Sequence, residues 1–434
     1  MVQQSGNSNI KRVDAFFILS DIKLFKQKAL TWAQQYLVAV ALDNNQYNNH
    51  LNQQEEFLLA VGPKNEISTS LDCFSSMQKF IDENVGWKFG FICYDVKNEI
   101  EKLHSKNSEQ LKFPLVHFFI PEIFIRINGK AVEIISSINN EFEIFNEINK
   151  ISILGEHQSV SPEIKTTMPD GEYLEKVEQV KEYIRQGDVY ELNLCREFYC
   201  DNYDCNPVQL YFRLNEVSPA PCSVFYKLKD KYLLCASPER FLMKLGTKII
   251  SQPIKGTIRR NDDEREDQKL RNELFNSEKD RAENVMIVDL VRNDLSKSCI
   301  AGSVKVDELF GIYSYPRVHQ MVSTISAEIR NDITISTAIK NTFPMGSMTG
   351  APKISAMQLI DELENSCRGL FSGTVGYITT ENNFDFNVVI RSILYNSDKK
   401  YLSFSAGGAI TIESEAQSEL DELLLKTEAI RKIL

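Results

Sequence analysis

Short apolar runs at 222–228, 231–236, 240–245, 248–254, 386–395 and 401–405 constrain this chain most, because helical patterns do not follow each of them in turn. Amphipathic helical periodicity occurs instead at 173–185, 265–294, 352–364 and 415–433, before, between or after the strand runs. Parallel strands need a long crossover at every step. This irregular order therefore favours an α+β layout with an antiparallel sheet over strict βαβ winding.

With 434 residues, 43% of them apolar, the chain can bury a large core and divide into two or three structural units. The polar stretch GEHQSVSPEIKTTMPDG, 155–171, carries two prolines and two glycines and reads as a linker. It divides an N-terminal α/β region, 1–165, from a C-terminal region, 166–434. The apolar stretch around 36–42 falls far short of the ~20 residues that span a bilayer, and MVQQSGNSNIKR lacks the apolar segment of a signal peptide. No membrane partner is expected, and the expected compartment is the cytoplasm. Nine irregularly spaced cysteines read as free thiols. Cys195, Cys200 and Cys205 have no CxxC pair or histidine beside them, so they do not read as a zinc site. A net charge of −11 without a basic stripe disfavours nucleic acid. Anionic ligands must then be met by local cations, helix N-termini or a metal.

Three constellations could carry chemistry. PERFLMKL and KIISQPIK flank Gly246-Thr247, a tight-turn pair. A two-residue loop in regular register puts Glu239 and Lys255 on opposite faces, whereas a longer loop or one bulge sets them together. Read alone, the two are ordinary rim charges. KDRAENVMIVDLVRNDL places Asp280 and Glu283 on one helical face, and SELDELLLKTEAI does the same with Glu419 and Glu422. Either pair alone reads as a solvated face, but together they suit Mg²⁺, a hard cation that takes few carboxylates. In FPMGSMTGAPKISAMQLIDELE, Gly346 and Gly350 lead to Pro352 at the expected first helical position, so backbone N–H groups near 349–351 could hold an anion. SFSAGGAIT, 403–411, ends a strand in glycines that allow close approach of a ligand.

The order and spacing of these segments carry more than any one of them. GDVYELNL (187–194), SPERF (237–241), PIKGT (253–257), AENVMIVDLVRNDL (282–295), VHQMVST (318–324), GSMTGAPK (346–353), GTVGYI (373–378), VVIRSI (388–393), AGGAI (406–410) and SELDE (418–422) together resemble the chorismate-utilising enzymes. The resemblance covers roughly 240 residues from Gly187 onward, and WKFGFICYDVKNEIE extends it loosely into the N-terminal third. It implies two packed, mostly antiparallel sheets with helices outside and an active site between them.

Lysine in the PIKGT segment resembles the aminodeoxychorismate synthase component I branch, where the anthranilate synthase component I branch typically has alanine. The implied reaction joins chorismate and ammonia to give 4-amino-4-deoxychorismate, a precursor of p-aminobenzoate and folate. The alternatives are the anthranilate reaction and a non-catalytic regulatory role. Glu191 stands where amine-adding relatives more often have glutamine and water-adding ones lysine, and Ala409 stands where the family usually has glycine.

The resemblance implies that Glu283 and Glu422 bind Mg²⁺, with Asp280 and Glu419 nearby. Tyr377 and Arg391 would hold the enolpyruvyl carboxylate. Backbone groups of Gly256, Thr257, Gly407, Gly408 and Ala409 would line the ring, Thr349 would also contact the substrate, and His319 matches a family histidine near the ring. Glu239 is the candidate general acid and Lys255 the candidate nucleophile, its pKa lowered by burial beside Arg259 and Arg260. No cysteine sits in a recognisable glutaminase motif, so ammonia is expected from a separate glutamine amidotransferase subunit, and no fused lyase is expected after Leu434.

Overall fold

The computed structural model describes residues 15–47, 55–101, 103–153 and 161–434. Among the described residues every strand pairing is antiparallel, and the strands form one branched network. The branch point is the long strand Val116–Asn128, which pairs with Phe57–Thr69, Lys88–Ile92 and Ala131–Ser136. One arm continues from Phe57–Thr69 through Val38–Asp43, Cys222–Leu228, Lys231–Ser237, Ser392–Asn396 and Tyr401–Ile410 to Glu191–Cys200. The other runs from Lys88–Ile92 through Thr374–Ile378, Phe384–Asn387, Arg240–Leu245 and Lys248–Gln252 to Val318–Glu328, which also carries Ile254–Arg259 and Lys305–Ser314.

The arms pack face to face as two sheets. Val40, Tyr226 and Leu233 from the first meet Phe91, Leu242, Val375 and Phe386 from the second in one buried cluster. The next residues along the first arm, Ala39, Phe225 and Leu234, point the opposite way, as the two-residue period of a strand requires. They form a second cluster with the helices Asp170–Gln186, Pro207–Val217 and Ala416–Ile433. Both faces of the first sheet are buried, which explains why its strands read as continuous apolar runs. The described cysteines are all free. Among the described residues no helix is long and apolar enough to cross a membrane.

Three sequence expectations change in detail. The pattern at 265–294 is two helices, Glu264–Asn276 and Glu278–Ser296, because the Ser277 hydroxyl accepts from the Asp280 N–H and caps a new start. The run 386–395 is broken into Phe384–Asn387 and Ser392–Asn396, and Arg391 between them takes a left-handed φ of 49°. Residues 155–160 of the expected linker lie outside the described residues. Lys165–Thr166 pairs with the strand Glu191–Cys200. Residues from both sides of position 165 share both cores, with Val38–Asp43 paired to Cys222–Leu228 and Lys88–Ile92 to Thr374–Ile378.

Phe91 shows what this interleaving contributes. Fully buried, it meets the Tyr226 ring edge-on at 5.1 Å across the two sheets. Replacing Phe91 with alanine is expected to destabilise the protein by about 3–5 kcal/mol, whereas alanine at the exposed Leu71 changes stability by less than about 0.5 kcal/mol. Urea unfolding measures both, and equal midpoints for the two variants would contradict the shared core.

Candidate active site

The site begins at the hairpin ending in Lys255. Its turn is the two-residue Gly246-Thr247, with Leu245 opposite Lys248 and Gly246 at φ 59°. The register nevertheless shifts by one residue between Arg240 and Met243, where Phe241 and Leu242 bulge and the Ser251 hydroxyl donates to the Phe241 carbonyl at 2.7 Å. A second bulge follows Pro253: Ile254 pairs with Val322 and Thr257 with Gln320, so Lys255 and Gly256 oppose one residue. Gly256 takes φ 89°, and a β-carbon there would lie 2.9 Å from an Asp280 carboxylate oxygen. The bulges, rather than a longer turn, bring Lys255 and Glu239 into one cavity of about 170 Å³.

Glu239 is held from behind. Arg240 is fully buried and donates from Nε and Nη2 to the two oxygens of Asp385, 2.9 Å each, while Val388 N–H donates to the Glu239 carbonyl at 3.0 Å. The Ser347 hydroxyl donates to Glu239 Oε1 at 2.6 Å. Burial pushes the Glu239 carboxyl up to about 7, against the opposing pulls of Ser347 and Lys255. The group is poised to hold or release a proton near neutrality.

Lys255 does not have the lowered pKa expected from the sequence. Burial pulls it down, but Glu191, Glu283, Glu239 and Glu422 pull it up by more, so the resting side chain is an ammonium. Its Nζ lies 3.8 Å from Glu191 Oε1. Arg259 and Arg260 are engaged elsewhere, with Glu428 at 3.3 Å and Asp267 at 2.8 Å.

The two helices deliver their acids to the same cavity. Asp280 and Glu283 arrive from Glu278–Ser296, and Glu419 and Glu422 from Ala416–Ile433. Lysines missed by the sequence reading lie among them: Lys279 is 3.2 Å from Glu419 and 3.9 Å from Glu283, and Lys426 is 2.7 Å from Glu422. Each stands four residues from an acid on its own helix, and that spacing was the available signal. Lys426 holds the Glu422 carboxyl below its usual range, while burial lifts Glu283 to about 7, and among the described residues its Oε1 has no hydrogen-bond partner. Among the described residues no acids are gathered tightly enough to enclose a metal as they stand. Four carboxylates from two facing helices, one with a buried oxygen that accepts no hydrogen bond among the described residues, are nonetheless a donor set that fits a hard cation.

Thr257, Arg391, Gly407, Gly408 and Ala409 also line the cavity. Arg391, whose backbone is left-handed, lines this cavity, and among the described residues it makes no ion pair. Its planar fork suits a substrate carboxylate.

Three expected residues do not reach this cavity. Tyr377 stacks on Trp87 at 5.2 Å and lines a separate pocket with Asp385 and Cys222; Phe371, six residues earlier, is the aromatic that reaches the site. His319 turns to the other face of its strand, between Ser314 Oγ at 2.8 Å and Asp267 at 3.0 Å, and Gln320 lines the cavity in its place. The Thr349 hydroxyl donates to the Met345 carbonyl at 3.1 Å. Gly350 and Ala351 pair with Leu192 and Glu191, so that segment extends the sheet instead of cradling an anion, and Ser347 and Met348 are the members that face the cavity.

Aminodeoxychorismate synthase component 1 of Escherichia coli K12 is 35% identical over 80% of this chain and 77% of its own length. A probable chloroplastic aminodeoxychorismate synthase of Oryza sativa subsp. japonica is 39% identical over 78% of this chain, but that match takes up only 36% of the longer plant protein. The crystal structure of anthranilate synthase component I from Streptococcus pneumoniae TIGR4 superposes with a TM-score of 0.75 at 25% identity, over 86% of this chain and 91% of its own. Residues 25–432 match the model of the chorismate binding enzymes, and with the fold and cavity described above the chain belongs to that family.

Proposed function

We propose that the chain acts as aminodeoxychorismate synthase component I, replacing the C4 hydroxyl of chorismate with an amino group. The observation that carries this reading is the pair of bulges that put Lys255 and Glu239 in one buried cavity. Similarity to named synthases over most of the chain supports it.

The chemistry follows from the protonation states. Lys255 first passes a proton to Glu191, the carboxylate 3.8 Å away, whose buried Oε2 has no hydrogen-bond partner among the described residues. The freed amine attacks C2; the ring double bonds shift toward C4, and the C4–O bond breaks. Protonated Glu239 supplies the proton that turns hydroxide into water. Ammonia then forms a bond to C4, the double bonds return, and the C2–N bond breaks with its electron pair going to Lys255. Glu239 takes one proton from the new C4 ammonium, and Glu191 returns its proton to Lys255. The sum is alcohol plus ammonia to amine plus water.

Arg391, which lines the cavity and has no ion-pair partner among the described residues, would hold a substrate carboxylate. Glu283 and Glu422, with Asp280 and Glu419 beside them, would hold Mg²⁺, which when bound supplies charge neutralisation and Lewis acidity toward the ring carboxylate. We further propose that ammonia comes from a separate glutamine amidotransferase subunit and that the protein works in the cytoplasm, which suits its free cysteines.

Product mass from chorismate, an ammonium salt and Mg²⁺ tests the reading directly: 4-amino-4-deoxychorismate is expected, and anthranilate would overturn it. Glutamine is expected to replace ammonium only after an amidotransferase subunit is added; glutamine turnover by the purified chain alone would contradict the two-subunit reading.

Chelation should abolish turnover, with Mg²⁺ restoring it. Glu283→Gln and Glu422→Gln should each remain folded and lose most activity, because each removes a charged ligand. Full activity in EDTA would remove the metal from the scheme.

Because Glu239 must be protonated to donate, turnover should fall as pH rises through about 7. Glu239→Gln should lose roughly 10²–10⁴-fold in rate. The Ser347 hydrogen bond lowers the Glu239 pKa, so Ser347→Ala should shift the falling limb to higher pH. A limb that stays put or moves down would separate Ser347 from the acid.

A further inference from the structure

We infer that Lys353 and Asp294 form a positioning pair for the catalytic acid: together they set the turn that presents the Ser347 hydroxyl to Glu239. Both belong to segments whose spacing marks the family, AENVMIVDLVRNDL and GSMTGAPK, yet neither lines the catalytic cavity. Asp294 stands near the end of Glu278–Ser296, the helix that carries Asp280 and Glu283, and is 3% exposed. Lys353 opens the helix Lys353–Leu363 and places its ammonium against the Asp294 carboxylate. Its Nζ also donates to the carbonyls of Pro344 at 2.7 Å and Thr342 at 3.3 Å, so the three N–H donors of the lysine each have an acceptor.

Those carbonyls belong to the chain just before the turn Gly346–Met348, in which the Ser347 hydroxyl donates to Glu239 at 2.6 Å and the Ser347 carbonyl accepts from the Asn193 amide at 3.0 Å. A β-carbon at Gly346 would lie 2.8 Å from the side chain of Leu290, one helical turn before Asp294. The turn is therefore seated on Glu278–Ser296 by close contact at Leu290 and, through Lys353, at Asp294. Glu239, Ser347 and Asp294 also border one small cavity of about 20 Å³, which brings the pair close to the acid without placing it among the reacting groups. A buried ion pair is often no more stabilising than neutral groups of its size. What this pair contributes is the place of two carbonyls, and through them the place of the hydroxyl that follows.

This inference rests on Glu239 as the acid of the amination reading, and the experiment separates the two. The pH dependence of ammonium-driven amination is measured first for the unsubstituted chain and for Ser347→Ala. No amine, or a falling limb that Ser347→Ala leaves in place, is failure of that reading and takes this inference with it. Lys353→Met and the double variant Asp294→Asn/Lys353→Met are then compared, so that one misfolded variant does not decide the result. In the catalytic cavity Glu239 shares walls with Lys255 and Arg391, with Lys279, Lys426 and the four helix acids, and in the smaller one with Asp294 and with Arg240, which Asp385 pairs. The double variant removes one charge of each sign and leaves the others, so a displaced limb reports the hydroxyl and not a changed field. Loss of a hydrogen bond that favours the carboxylate raises the pKa, so both variants should move the falling limb up by roughly half a pH unit or more, with chorismate KM nearly unchanged and no further shift in a Ser347→Ala background. A limb that stays in place in a folded variant, or a shift that persists without the Ser347 hydroxyl, overturns the assignment.

Discussion

The site depends on one local constraint, the extra residue inserted at Lys255-Gly256. Without it, Thr257 would not face Gln320 and Lys255 would follow the regular alternation of its strand. Glycine is required because the backbone there is left-handed and because the Asp280 carboxylate occupies the space a β-carbon would need. The bulge thus joins two parts of the site that the chain keeps apart, the lysine on a sheet and the acids on the helix packed against it. The matching shift at Phe241-Leu242 does the same for Glu239 from the neighbouring strand.

Charge in the cavity is arranged so that neighbouring groups titrate apart. Four carboxylates hold Lys255 as an ammonium despite its burial. Glu239 is lifted to about 7 by the same desolvation, because the Ser347 hydroxyl, Lys255, the Ile254 N–H and Arg391 together do not offset the loss of water. An acid that keeps its proton and an amine that must give one up are the complementary pair that this substitution needs. Lys279 and Lys426 balance the remaining acids, so an anionic substrate meets a cavity that is not simply negative despite a net charge of −11.

The walls are buttressed from far along the chain. Arg368 pairs with Glu364 at 2.6 Å, donates to the carbonyls of Met348 and Asn193, and lies over the Tyr94 ring at 4.6 Å. Met348 and Asn193 both face the cavity. The N-terminal segment around Tyr94 is therefore part of the scaffold of the site, which accounts for the sharing of both cores across residue 165. Fully satisfied buried ion networks of this kind fix geometry more than they add stability.

Much of this was readable from residue order alone. Strand and helix periods are local properties, so the α+β class, the apolar runs, the paired acids and the lysine after Pro253 were all legible, and the spacing of ten segments pointed to the family. What residue order did not show was which side chains line the cavity. His319 and Gln320 differ by one step along a strand, so a one-residue shift in register reverses that assignment without altering any local pattern; Tyr377 lies on a strand and Phe371 in the turn before it, and which of them reaches the cavity depends on the path of that turn. The protonation of Lys255 was equally hidden, because the carboxylates that set it come from 191, 239, 283 and 422, positions that share a field only after folding. The sequence by itself determined the element types and the chemical groups available. The tertiary structure decided their facing and their charge, because bulges depend on cross-strand pairing and pKa values depend on burial among distant neighbours.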